Sequence, residues 1–160
     1  MRQTNCFLVV LCVFCLTGIP CLAQSNSLSS AFHLSSEASY LGATLSHDLA
    51  GINRDKVKLR GTFSYLSGGY ESLGSGSQSA ERFELGLETK NTMVRGKSPF
   101  SVIDLAYSFG RSDRPGSSYG ANGLMFAMGF GSRVASSVSV LGKYVLGRDQ
   151  GVRLAMEVDF

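Results

Sequence analysis

Gly151-Val152-Arg153-Leu154-Ala155-Met156-Glu157-Val158-Asp159-Phe160 is the stretch on which the reading of the fold turns. Counting back from Phe160, every second residue is apolar: Phe160, Val158, Met156, Leu154 and Val152. Between them fall Asp159, Glu157, Ala155, Arg153 and Gly151. A period of two places the first set on one face of a strand and the second on the other. About ten residues, tilted by roughly 45°, are what a strand needs to cross the hydrocarbon core of a bilayer.

The same alternation recurs upstream. In Lys56–Leu66, Val57, Leu59, Gly61, Phe63 and Tyr65 oppose Lys58, Arg60, Thr62 and Ser64. A strand from Arg82 to about Val94 sets Phe83, Leu85 and Leu87 against Arg82, Glu84, Gly86 and Glu88. Phe100–Gly110 has Ser101, Ile103, Leu105, Tyr107 and Phe109 opposite Val102, Asp104, Ala106 and Ser108. In Tyr119–Gly131, Leu124, Phe126, Met128 and Phe130 face a mostly small set. Val138–Leu146 alternates too, with Lys143 on its polar side. Residues 28–47 change phase near Ser35-Ser36-Glu37, which predicts a hairpin of two strands (28–35 and 38–47) rather than one bulged strand. The total is eight strands. The segments 48–55, 69–81, 96–99, 111–118, 132–137 and 147–150 read as turns or loops, with 69–81 too rich in Gly and Ser to pack a core.

The first 23 residues read as a secretory signal: Arg2, then an uncharged apolar run from Cys6 to Leu16, then Cys21-Leu22-Ala23 before Gln24. The run is too short for a membrane-spanning helix, and Pro20 before Cys21 does not suit lipidation. All four cysteines (Cys6, Cys12, Cys15, Cys21) lie in this segment, so residues 24–160, one domain, carry neither disulfide nor thiolate metal site. Without Arg2 the 15 basic residues become 14 against 12 acidic ones, too balanced for a nucleic-acid partner. Nineteen glycines and three prolines suit short strands and turns, and no apolar stretch of helical spanning length follows residue 23. Any passage through a membrane is therefore by strands.

Charges keep to one face: Lys58, Arg60, Arg82, Glu84, Glu88, Asp104, Lys143, Arg153, Glu157 and Asp159. A soluble ligand-binding barrel turns such a face outward, whereas a membrane barrel turns it inward. Aromatics near strand ends (Tyr65, Phe83, Phe100, Phe109, Phe130, Tyr144, Phe160) favour the membrane arrangement, as a girdle at the lipid interface. An eight-stranded barrel is wide enough only for its side chains. Its five bases and five acids would then pair across the lumen, giving a plugged barrel rather than a pore.

The chain resembles the small bacterial outer-membrane β-barrel family, the opacity-type and OmpX-like eight-stranded proteins. The resemblance rests on Val152, Leu154, Met156, Val158 and Phe160, with support from the 119–146 hairpin. It implies an all-β, antiparallel up-and-down transmembrane barrel in the outer membrane. The same five residues would be an assembly signal read by the barrel-assembly machinery. The family's roles are structural, adhesive or host-interacting, carried here by the outer loops Gly69–Glu81 and Arg111–Ser118, where Arg111, Asp113 and Arg114 suit an anionic surface. A secreted lipocalin-like carrier of an apolar ligand is the alternative.

No active site is expected, and no metal or cofactor. His33-Leu34-Ser35 has the His-x-Ser spacing of outer-membrane lipid A deacylases, themselves eight-stranded barrels. Here Ser36 follows instead of Asn, and the motif stands far earlier in the chain. His33 reads instead as a strand-edge residue near a turn. Glu84 with Glu88, and Glu157 with Asp159, read as structural ion-pair partners rather than acid–base pairs. Gly74-Ser75-Gly76-Ser77 has no Lys-Ser/Thr after it and is no phosphate loop. His33 and His47 alone cannot build a metal site.

Overall fold

The computed structural model describes residues 25–35, 38–52, 56–72, 76–94, 97–112, 122–147 and 149–160. They form β1 (Asn26–Ser35), β2 (Ser39–Ile52), β3 (Val57–Ser72), β4 (Gly76–Val94), β5 (Lys97–Ser112), β6 (Gly123–Arg133), β7 (Val138–Leu146) and β8 (Gly151–Asp159). Each strand pairs antiparallel with the next, and β8 pairs with β1 to close the barrel. Closure leaves no strand edge along the eight-stranded wall, so main-chain groups there pair with a neighbour on either side without water.

The barrel is inside out. Leu85, Leu105, Leu124, Phe130 and Leu154 stand exposed on its outer wall. Arg60, Arg82, Glu84, Glu88, Asp104, Lys143, Arg153 and Glu157 are buried in its interior. Alternation turned outward in this way is the arrangement of a transmembrane barrel, since only lipid solvates such a wall. Two inward glycines let the wall coil tightly. A Cβ on Gly42 would strike the Tyr65 carbonyl oxygen on β3, and one on Gly129 the Gly142 carbonyl oxygen on β7.

The hairpin at 28–47 is present, joined across Ser35 and Ala38, whose backbones bond at 2.9 Å. Several connections are shorter than the sequence suggested. The expected loop at 48–55 shrinks because β2 runs on to Ile52, its phase reset by a bulge between Asp48 and Ala50. The Gly/Ser stretch 69–81 is mostly ladder: Gly69 pairs with Ser79 and Ser72 with Gly76. Glycine and serine make a poor core, but a hairpin held by main-chain bonds needs none. Lys97-Ser98-Pro99, read as turn, begins β5; Arg111 and Ser112 extend it; Ser132 and Arg133 extend β6. The 119–131 strand starts only at Gly123. Residues 1–23, expected to be a secretory signal, Ser36-Glu37 of the expected turn, and residues 113–121, expected to be loop to 118 and strand from 119, lie outside the described residues.

Phe100 also departs from the reading. It is buried inside the barrel with Val102 and Leu141, and Lys90 Nζ sits 4.4 Å from its ring centre. It follows the inward phase of Val102 and Asp104, so its aromatic ring closes the end of the lumen near the termini rather than joining a lipid girdle.

Candidate functional site

The interior is a polar column built by alternate residues of all eight strands, and its charges fall into two groups. Toward the outer end, Glu84 on β4 accepts two hydrogen bonds from Arg153 on β8, at 2.8 and 2.7 Å. It also accepts one from Arg82 Nε at 2.7 Å. This fork-to-carboxylate pairing is the geometry in which arginine binds most firmly. The Arg82 guanidinium lies 5.7 Å from the centre of the Tyr40 ring, and its Nη1 donates to Asp149 Oδ2 at 2.5 Å.

The second group lies nearer the termini. Glu88 accepts from Arg60 at 3.0 Å and from Lys143. Lys143 also donates to Asp104 at 2.7 Å, Arg60 meets Glu157 at 2.8 Å, and Lys90 donates to Glu157 at 3.1 Å. At the mouth, Asp48 accepts from Lys58 at 2.5 Å and from Ser25 at 2.6 Å. Asp159 and Arg133 pair at 3.3 Å on the exposed rim. The space between the two groups is lined by Glu84, Glu88, Asp104, Lys143 and Arg153 and amounts to about 20 Å3. That is room for about one water.

Of the ten charges singled out in the sequence, eight are buried together in the lumen. Lys58 and Asp159 stand at its mouth, half-exposed. Lys90, Asp48 and Asp149 belong to the network and were missed. Lys90 continues the inward phase of Glu84, Gly86 and Glu88, a signal present in the sequence. Asp48 continues the inward phase of Ser46 but lies just beyond the strand expected over 38–47. Asp149 sits in the turn between β7 and β8, where no periodicity points to it. Its turn is set by Gly147, whose φ of 147° favours glycine.

His33 is not a strand-edge residue. It is fully buried in the lumen beside Tyr40, ring centres 5.9 Å apart, with Nε2 3.5 Å from Asp149 Oδ2. Ser35 is tied into its own turn, bonding Ala38 N and O at 2.9 and 3.0 Å. Burial alone would raise the Asp149 carboxyl, but hydrogen bonding from His33 and Ser35 and the charge of Arg82 hold it below the usual range. A depressed carboxyl contributes stability above its unfolded value of about 3.9 and loses it as pH falls through the lower folded value. The turn should therefore stay docked at pH 4 and loosen below it. Asp149→Asn should loosen it at neutral pH, speeding amide exchange at Gln150 and Gly151 by about tenfold, the worth of one charge-assisted hydrogen bond.

The apolar residues of the last strand all stand on the outer wall: Val152, Leu154, Met156, Val158 and Phe160 are each exposed. Among the described residues no cluster of three metal-ligating side chains occurs.

No known family model matches the chain, and no curated protein matches it. Solved structures do. The outer-membrane protein Ail of Yersinia pestis, determined in a phospholipid bilayer nanodisc, is 14% identical over 86% of this chain and 100% of its own, with a TM-score of 0.56. Neisserial surface protein A is 15% identical over 85% of this chain and 94% of its own, with a TM-score of 0.51. The crystal structure of Ail, the attachment invasion locus protein, is 10% identical over 86% and 96%, at 0.50. The chain has the fold of the small eight-stranded outer-membrane β-barrels.

Proposed function

We propose that this chain is a small surface barrel of a bacterial outer membrane, with a plugged lumen, no catalytic activity and its binding work done by the outer connections. The observation that carries the reading is the inverted wall, apolar outside and ion-paired inside. Lipid is its solvent. The exposed Val152, Leu154, Met156 and Val158 of β8, with Phe160 directly after it, are its contact with the assembly machinery. A host or other extracellular surface is its partner, as the attachment role in the name of Ail suggests for that protein. A lipocalin-like carrier fits poorly, because ligand pockets run to roughly 300–1,000 Å3 and this interior offers about 20 Å3.

Refolding from urea tests the membrane part. The mature chain should reach a β-rich circular dichroism spectrum and heat-modifiable gel migration only with detergent or vesicles; folding in plain buffer would refute it. Planar-bilayer recording tests the plug: no stable conductance is expected from the wild type. A steady ohmic current would overturn the plugged lumen.

A further inference from the structure

The outer wall is not uniform. Gly61 faces outward on β3, where its neighbours across the ladder are His47 on β2 and Leu87 on β4. A hollow of about 530 Å3 opens over it, walled by Leu45, Leu49, Phe63, Leu85 and Leu87 and reaching Tyr107 and Leu124. A Cβ at Gly61 would meet only Leu49, at 3.6 Å, so no backbone approach requires glycine here. The hollow is a feature of the surface rather than a demand of the fold.

One end of this hollow is polar. His47 Nδ1 bonds Asn26 Oδ1 at 2.7 Å, and among the described residues its Nε2 has no partner. The ladder fixes the depth. Asn26, His47, Gly61, Leu87, Leu105, Phe126 and Leu146 form one row of paired residues. Asn26 starts β1 at the end of the barrel carrying both termini, while Leu146 closes β7 at the opposite end. Strand tilt thus carries the row obliquely across the wall. His47 lies at the interface on the side of the termini, and the apolar hollow climbs from it toward mid-bilayer.

We propose that this hollow is a phospholipid site: one acyl chain lies over Gly61, and the phosphate of the same lipid meets the His47 imidazole in the leaflet on the side of the termini. A mostly apolar groove with an imidazole at its interfacial end matches a lipid. A second copy of the barrel, by contrast, would bring another apolar wall against His47. The proposal rests on the membrane reading above.

The test refolds the wild type, Gly61→Phe, His47→Ala and Met128→Phe into vesicles of phosphatidylethanolamine and phosphatidylglycerol, extracts them in mild detergent, and measures retained phospholipid by native mass spectrometry. The wild type and Met128→Phe, a change at an exposed outer-wall residue that does not line the hollow, should each retain one phospholipid. Gly61→Phe, which sets a ring into the hollow, should weaken retention by about tenfold, or 1.4 kcal/mol, and His47→Ala should weaken it less. Equal retention in all four proteins, or none in the wild type, overturns the site. A wild-type dimer dispersed by Gly61→Phe also overturns it, by assigning the hollow to a second copy. Failure of all four to fold in vesicles would instead strike the membrane reading, which the heat-modifiable gel shift reports separately.

Discussion

Replacing Glu84 with leucine should cost about 3–5 kcal/mol of folding stability, the usual penalty for stranding one partner of a buried ion pair. Glu84 is 3% exposed and is the sole carboxylate within hydrogen-bonding reach of Arg153 among the described pairs. Arg82 would keep Asp149 as a partner, but Arg153 would keep none. Urea titration of the vesicle-bound barrel would measure the loss. The double variant Glu84→Leu/Arg153→Met should recover most of it, because removing both charges also removes the desolvation that each incurs. A single variant within about 0.5 kcal/mol of wild type, the range for ordinary surface changes, would mean that water reaches Arg153 and that the lumen is open. Asp159→Asn, at the half-exposed rim, should stay within that range.

This contrast between column and rim shows which parts of the site the sequence could reveal. Period-two alternation tells which residues share a face, so Arg60, Glu84, Glu88, Asp104, Lys143, Arg153 and Glu157 were identifiable from spacing alone. Which anion meets which cation was not, because partners such as Arg153 and Glu84 come from β8 and β4, across the lumen rather than along one ladder. Burial overrode the aromatic signal at Phe100, whose phase with Val102 and Asp104 is a better guide than its chemistry. Composition misled at 69–81, since a two-stranded ladder beyond the barrel asks only for main-chain pairing and accepts serine and glycine. The turn at Asp149 breaks the period, so that residue was not predictable from the pattern on either side, whereas Asp48 keeps the inward phase of Ser46 and lies one residue past the expected strand end.

Arginine in place of Leu85 or Leu105 should destabilise the barrel by about 2–4 kcal/mol each, and the same change at Leu124 by only about 0–1. All three are more than half exposed, so in water each would be close to neutral. The large cost arises only if the exposed wall is solvated by hydrocarbon, where an arginine must drag water inward or distort the bilayer. Depth separates the three. Leu85 and Leu105 lie well inside β4 and β5, whereas Leu124 is the second residue of β6 at its outer end, paired with Tyr107. From there a long cation can reach the headgroups. Urea titration in vesicles of the three variants would give the gradient. Equal and small costs at all three positions would mean that the outer wall meets water, and the membrane reading would fall. A steep gradient with depth has no source but a bilayer, because a protein partner would penalise charge according to local contacts rather than distance from the membrane midplane.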